Sequence, residues 1–381
     1  MKGLSGVQAC LLLNALPKIG PVSYRKLWAH FDHDPSRILE ASDEELRKVP
    51  GLSQEAREVI SHPARYFSLQ EEWEKMQAQG ISFLPSDDVL YPPLLREIYD
   101  PPIGLYCRGS PEAHSRCIAI VGSRQATPYG LKIAHQLARD LAQRDYSIVS
   151  GLAQGIDAAA HEGALAVGGR TVAVLGTGVD VIYPRIHRAL YQKIIQAPGS
   201  CVLSEFPLAY PAEKHHFPIR NRIISGLSQA IIVIETTCHG GSMITARLAA
   251  EQGRQVFAVP GRIDQPTSQG CLALIREGAT LLSRVEDIFE ELPFLQADSS
   301  NRQAAEAIPP AKPHRSDMGA MLKTELERAL YELIGQHDRL SLDGILQKLE
   351  HQPQQIISSL QMLELQQVVT QSPSGHYECL A

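Results

Sequence analysis

The chain lacks the features that would place it in a membrane, in the secretory route or around a metal. None of its 381 residues falls in an apolar run approaching the ~18–20 that a membrane-spanning helix needs. The patch Ala9–Leu13, preceded by one early Lys2, is too weak for a secretory signal. Its seven cysteines (10, 107, 117, 201, 238, 271 and 379) are odd in number, scattered, and never in a C-x-x-C pair. That pattern points to neither a disulfide framework nor a zinc site, and it fits a reducing cytoplasm. Common nucleotide and nucleophile signatures are missing as well. There is no Walker G-x-x-x-x-G-K-[ST] and no G-x-S-x-G elbow. Gly176-Thr177-Gly178 runs on into Val179-Asp180-Val181, so the third glycine of G-x-G-x-x-G is absent, and it follows an interior strand rather than the first. His215-His216 and His239 invite a metal reading, but adjacent side chains point opposite ways in an extended chain, so no metal and no cofactor is expected.

What is present is an ordinary globular composition, 44% apolar and 20% charged, enough to bury a sizeable core over two or three domains. The net charge of −6 argues against a bulk nucleic-acid binder. Its distribution is uneven, however. Between Arg116 and Gly226 twelve Lys/Arg face seven Asp/Glu, a local excess of +5 in a chain whose remainder carries −11. A basic middle in an acidic chain indicates a local anion site.

Residues 1–78 predict short helices (Gly6–Leu16, Val22–His30, Asp43–Lys48, Gln54–Ser61) separated by the turns Leu16–Pro21 and Val49–Ser53. This is the texture of a helix-hairpin-helix or SAM-like domain, whose turns can cradle a phosphate, and equally of a plain helical packing unit. From residue 82 the pattern changes. Apolar runs at 117–121, 147–150, 171–175, 201–204, 230–234 and 255–259 alternate with helical stretches at 128–144, 157–167, 185–197, 220–228 and 241–253. That repeat predicts an α/β, extended Rossmann-like, doubly wound and mostly parallel sheet over 82–292, with one or two additional strands in 82–116. The Pro/Ala/polar segment at 293–318 reads as a linker. Residues 319–381 predict three helices and a β tail (Val368–Thr370, His376–Cys379), the order of a winged helix. Its third helix, Gln352–Leu365, has no Lys or Arg, and the domain holds four basic against eight acidic residues, so a protein-contact role fits better than duplex readout.

In an open α/β sheet, ligands bind beyond the carboxyl ends of the strands. The unusual residues all follow strands and so share one edge: Gly122-Ser123-Arg124, Gly151 to Asp157 with His161, Gly176–Gly178, Glu205 with Lys214 to Arg222, Gly240-Gly241-Ser242, and Pro260-Gly261-Arg262. Gly-rich turns admit a phosphate to the backbone, although any α/β protein needs glycine in such turns. Five cations on that edge (Arg124, Lys214, Arg220, Arg222, Arg262) favour the anion site. Lys214 and Phe217, three apart, can face one groove, which suits a single-strand binder combining cations with an aromatic platform. Phe217 is also readable as a core anchor. Arg220 or Arg222 is also readable as pinning the fold through Glu205 or Glu235. Asp157 reads as a helix brace.

Residues 108–290 closely resemble the DNA-processing family DprA, also called Smf. The resemblance rests on Ile120–Arg124, Ser150–Asp157 with Ala160-His161, His216–Ser228, Gly240-Gly241-Ser242 with Thr245-Ala246, and Ala258–Gly261. It implies single-stranded DNA binding on an extended Rossmann domain, protection of incoming strands in natural transformation, loading of the RecA recombinase, a homodimer, and no catalysis. Carried over by position, the implied DNA site comprises Gly122, Ser123, Arg124, Lys214, Phe217, Arg220, Asn221, Arg222, Gly240, Gly241 and Ser242. Gln154 departs from the arginine often found there, which removes a possible cationic contact. The competing class is a nucleotide-processing enzyme or sensor of the phosphoribohydrolase-like Rossmann group, which the Gly240–Ser242 turn resembles faintly. Cys238-His239 precede the glycines here, and no Glu follows within one turn.

Overall fold

A computed structural model describes residues 4–110, 116–293 and 295, and toward the C-terminus 326, 329–331, 333–334, 340–349, 353–365, 369–371 and 376–379. The expected linker beyond residue 295 and most of the helix expected from Lys323 to Gly335 lie outside these residues; Leu295, expected in the linker, is instead buried in the core, where its carbonyl accepts from Tyr146.

Nine strands form one sheet: β1 (Ile81–Pro85), β2 (Gly104–Gly109), β3 (Cys117–Gly122), β4 (Ser147–Ser150), β5 (Thr171–Val174), β6 (Cys201–Ser204), β7 (Ala230–Ile234), β8 (Gln255–Ala258) and β9 (Thr280–Leu281). Their order is β1-β2-β6-β5-β4-β3-β7-β8-β9. The seven from β6 to β9 are parallel, and β1 and β2 are antiparallel additions at one edge. Strands β3 and β7 are apolar almost throughout, β4, β5 and β6 add only buried Ser and Thr to apolar residues, and all five are buried along nearly their whole length, as strands covered by helices on both faces must be. The chain steps outward from β3 through β4 and β5 to β6, then returns to place β7 against the other side of β3, with Ile118 opposite Ala230. The carboxyl ends of β3 and β7 therefore flank the topological switch point.

The helices that cover the sheet begin where local chemistry lets them. Helix Pro128–Ala142 has Pro at its first position, where no N–H is needed, and Thr127 Oγ1 accepts from Gly130 N at 3.2 Å. Its apolar stripe Ala134, Leu137, Ala138, Leu141 is buried, on the i, i+3, i+4, i+7 spacing. The N-terminal helices Gly6–Ala15, Asp43–Leu46 and Gln54–Ser61 start on the capping serines Ser5, Ser42 and Ser53. Two further helices, Pro35–Glu40 and Leu69–Gln79, were not legible in the sequence pattern. Leu11, Leu13, Ile38 and Met76 share one apolar core with Phe83, Tyr106, Leu152 and Val179. Asn14 Nδ2 donates to Glu205 O (2.9 Å) and Leu208 N to the Glu72 carboxylate (2.8 Å), so residues up to 296 form one compact unit.

Residues 297–381 form the second unit. Helices Leu342–Lys348 and Pro353–Leu365 accompany a three-stranded antiparallel sheet of β10 (Leu340–Ser341), β11 (Val369–Gln371) and β12 (His376–Cys379), ordered β10-β12-β11. Leu330, Ile334, Ile345, Ile356, Leu360 and Tyr377 make its own core. No described helix is long and apolar enough to cross a membrane.

Candidate nucleic-acid interface

At the switch point, the position where doubly wound folds usually seat a cofactor phosphate is filled by the protein itself. Glu235, at the end of β7, accepts from Thr127 N (2.7 Å) and from the Thr127 hydroxyl. Pro128 has no N–H, and Gly130 N is taken by Thr127. The carboxylate thus occupies the helix start that an anion would otherwise use. The Gly240–Ser242 turn is similarly committed. Gly240 opens helix Gly241–Glu251, and the buried Ser242 hydroxyl donates to Thr236 Oγ1 at 2.7 Å. Among the described residues no hydrogen bond or ring contact joins this turn to Arg124, Lys214 or Phe217.

The cationic centre lies instead where the loops after β3, β5 and β6 converge. Arg124, exposed just beyond Gly122 and Ser123, holds its guanidinium carbon 5.3 Å from the centroid of Phe217. Ser123 braces that loop: its hydroxyl accepts from Gln125 N and its carbonyl from Ile156 N. Phe217 is half-buried in the first turn of helix His216–Leu227, which begins four residues earlier than its apolar pattern indicates. The ring lies over Gly176, where a Cβ would come within 3.1 Å of its Cδ1, so the small residue of that turn makes room for it. Tyr183, 43% exposed, stands 5.5 Å from Phe217 and tilts 35° to it. Tyr183 was missed by sequence reasoning, because its partner is 34 residues away and nothing local marks it. Lys214 is exposed, and Asn221 is half-buried one turn beyond Phe217. Arg262, the remaining cation of the edge, is paired with Asp264.

Arg220 and Arg222, expected in the DNA pocket, are spent inside the fold. Arg220 is 4% exposed, and its guanidinium donates to Gly151 O (2.8 Å) and Val174 O, tying together the loops after β4 and β5. It packs so closely on Gly151 that a Cβ there would meet the guanidinium. Burial lowers its pKa to about 10, offset in part by Asp157, so it stays charged at neutral pH beneath the pocket, 6.0 Å from the Phe217 ring. Asp157 accepts from Gly151 N (3.0 Å) and Ala153 N (3.4 Å), so it braces the preceding loop and not the helix that its position suggested. Arg222 is bidentate to Glu205 (3.0 and 2.7 Å) and also donates to Asp100 (2.9 Å), so the alternative of an arginine pinned by a buried carboxylate holds for it. Asp100, 122 residues away, carried no signal in the sequence. His161 takes no part in charge recognition: burial pushes its imidazole down to about 3, and Nδ1 lies 2.6 Å from Thr171 Oγ1. Thr171 itself donates to Ile148 O, so Nδ1 carries the proton.

The open, doubly wound sheet with its self-filled cofactor crevice is a Rossmann-type fold, and at its carboxyl edge the exposed Arg124 and Lys214 accompany the Phe217 ring. Residues 82–293 match the family model of DNA recombination-mediator protein A, and the chain belongs to that family. It is 42% identical to Protein Smf of Escherichia coli over 241 residues, 63% of this chain and 64% of that protein. It is 44% identical to DNA processing protein DprA of Bacillus subtilis over 217 residues, 56% of this chain and 72% of that one. Of solved structures, DprA from Streptococcus pneumoniae superposes with a TM-score of 0.64 at 33% identity, covering 76% of this chain and 98% of that one. DprA from Helicobacter pylori, described for its single-stranded DNA binding mode, gives 0.50 at 32% identity, covering 56% and 95%.

Proposed function

We propose that this protein binds single-stranded DNA at the Arg124–Lys214–Phe217 group, protects incoming strands in natural transformation and helps load the RecA recombinase. It acts as a homodimer in the cytoplasm, without catalysis. The observation that carries the reading is Arg124 over a half-buried, solvent-accessible Phe217 with exposed Lys214 in the preceding turn. Cations supply phosphate contacts and a ring supplies a sequence-tolerant base platform. The Helicobacter pylori relative's described binding mode supports the same ligand class. A nucleotide-processing reading is not favoured, since Glu235 and the Ser242 hydroxyl are both committed to internal partners.

Fluorescence anisotropy with an oligo-dT strand and a duplex of equal length tests this proposal. Tighter binding of the single strand is expected, with little sequence preference, and equal affinity for the duplex would sink it. We read the C-terminal unit as a winged helix with a protein-contact role. Because residues 319–381 carry more acid than base, truncation after Leu295 should leave oligo-dT affinity unchanged or slightly higher. A tenfold loss would overturn that assignment.

A further inference from the structure

Just ahead of Phe217 the structure brings together three metal-competent side chains. The His216 N–H bonds the Glu213 carbonyl at 3.1 Å, closing a turn over residues 213–216. This turn replaces the extended chain in which neighbouring histidines diverge. Glu213, His215 and His216 each offer a ligand atom, and these atoms lie within 4.8 Å of one another. Glu213 Oε2 and His215 Nδ1 are already 3.4 Å apart. Two ligands on a tetrahedral ion with bonds of about 2.0–2.1 Å stand roughly 3.4 Å apart. A second observation points to a ligand independently. His216 is 3% exposed, walled by Phe206 and Tyr210 at 4.7 and 4.8 Å, and among the described residues its buried Nδ1 has no hydrogen-bond partner. A buried imidazole nitrogen left unsatisfied costs free energy that a metal or a proton donor would recover.

We propose that Glu213, His215 and His216 form a divalent transition-metal site of Zn²⁺ type, with water or an external ligand completing the tetrahedron. Two imidazoles and one carboxylate suit Zn²⁺ and not Mg²⁺, which prefers all-oxygen octahedra. Lys214 lies inside the turn, but it is exposed, and water screens its charge. The bound ion ties the exposed donors Glu213 and His215 to the buried ring of His216, stiffening the turn that leads into Phe217.

Chelator-treated full-length protein titrated with ZnCl₂ in a calorimeter tests the proposal without any DNA, so its outcome is separable from that of the DNA reading. One saturable Zn²⁺ per chain is expected, with a melting temperature that rises on loading. Loss of even an outer-shell partner costs a metal site about 10–100-fold in affinity, so Glu213→Gln and His215→Ala should each cost at least tenfold. Both positions are exposed, so these variants should fold. Cys238→Ser, which removes the exposed thiol next to His239, should bind as the parent does. No saturable binding, undiminished binding in both variants, or loss through Cys238→Ser would each overturn the proposal.

Discussion

Arg222→Ala should lower the melting temperature by roughly 6–20 °C while leaving oligo-dT affinity of the folded fraction unchanged. The guanidinium and the Glu205 carboxylate are 7% and 12% exposed and joined by two hydrogen bonds. Removing one partner of a buried pair leaves the other charge stranded, at about 3–5 kcal/mol, and a domain of this size shifts by about 2–4 °C per kcal/mol. Burial raises the Glu205 pKa and Arg222 opposes that rise, so in the variant the carboxyl takes up a proton more readily. Arg222→Lys should recover only part of the loss, since an ammonium cannot reproduce the two-pronged contact. Differential scanning fluorimetry reads the first effect and anisotropy the second. A variant that melts like the parent but binds DNA poorly would mean that Arg222 is a contact residue after all.

The pocket variants should behave in the opposite way. Arg124 and Lys214 are exposed and make no ion pair among the described residues, so their removal should not disturb the fold. Each phosphate contact on a single strand contributes about −0.7 to the slope of log K against log salt. Arg124→Ala and Lys214→Ala should therefore each weaken binding and flatten that slope by about 0.7. Phe217→Leu keeps an apolar group above Gly176 but loses most of the π-face. It should cost about 1–3 kcal/mol of binding with the slope unchanged. If Phe217 serves only as an anchor, the same variant should melt earlier and bind normally. Salt titrations of all three variants, with circular dichroism as the folding control, distinguish the cases. Unchanged affinity for both Arg124→Ala and Lys214→Ala at moderate salt would remove the proposed site.

Much of this follows from the amino-acid sequence. Runs such as Cys117–Val121 and Ala230–Ile234 are apolar on both faces, and only a strand covered on both sides can hide them, so the doubly wound class follows from local pattern. The strand-end loops carrying Arg124, Gly151 and Phe217 follow from it as well, because every parallel strand delivers its next loop to the same edge. The apolar pattern starts the helix over His216–Leu227 at Arg220, whereas it begins at His216. Its first turn holds Phe217 and Pro218, and proline is tolerated in a first turn though it reads as a break.

The tertiary structure alone decided which cation is which. Arg124, Arg220 and Arg222 look equivalent as text, in one basic stretch on one sheet edge. Glu205 and Asp100 claim Arg222, the carbonyls of Gly151 and Val174 claim Arg220, and among the described residues no acid pairs with Arg124, which lies over the Phe217 ring. The short-range pattern of a chain determines which segments must be buried, because burial of apolar surface is a property of each segment. Whether a charge faces water or a partner depends on groups that lie 17 to 122 residues away and meet it only when the sheet closes. The Tyr183–Phe217 pair and the turn that gathers Glu213, His215 and His216 were decided in the same way, by where the backbone goes and not by which residues it carries.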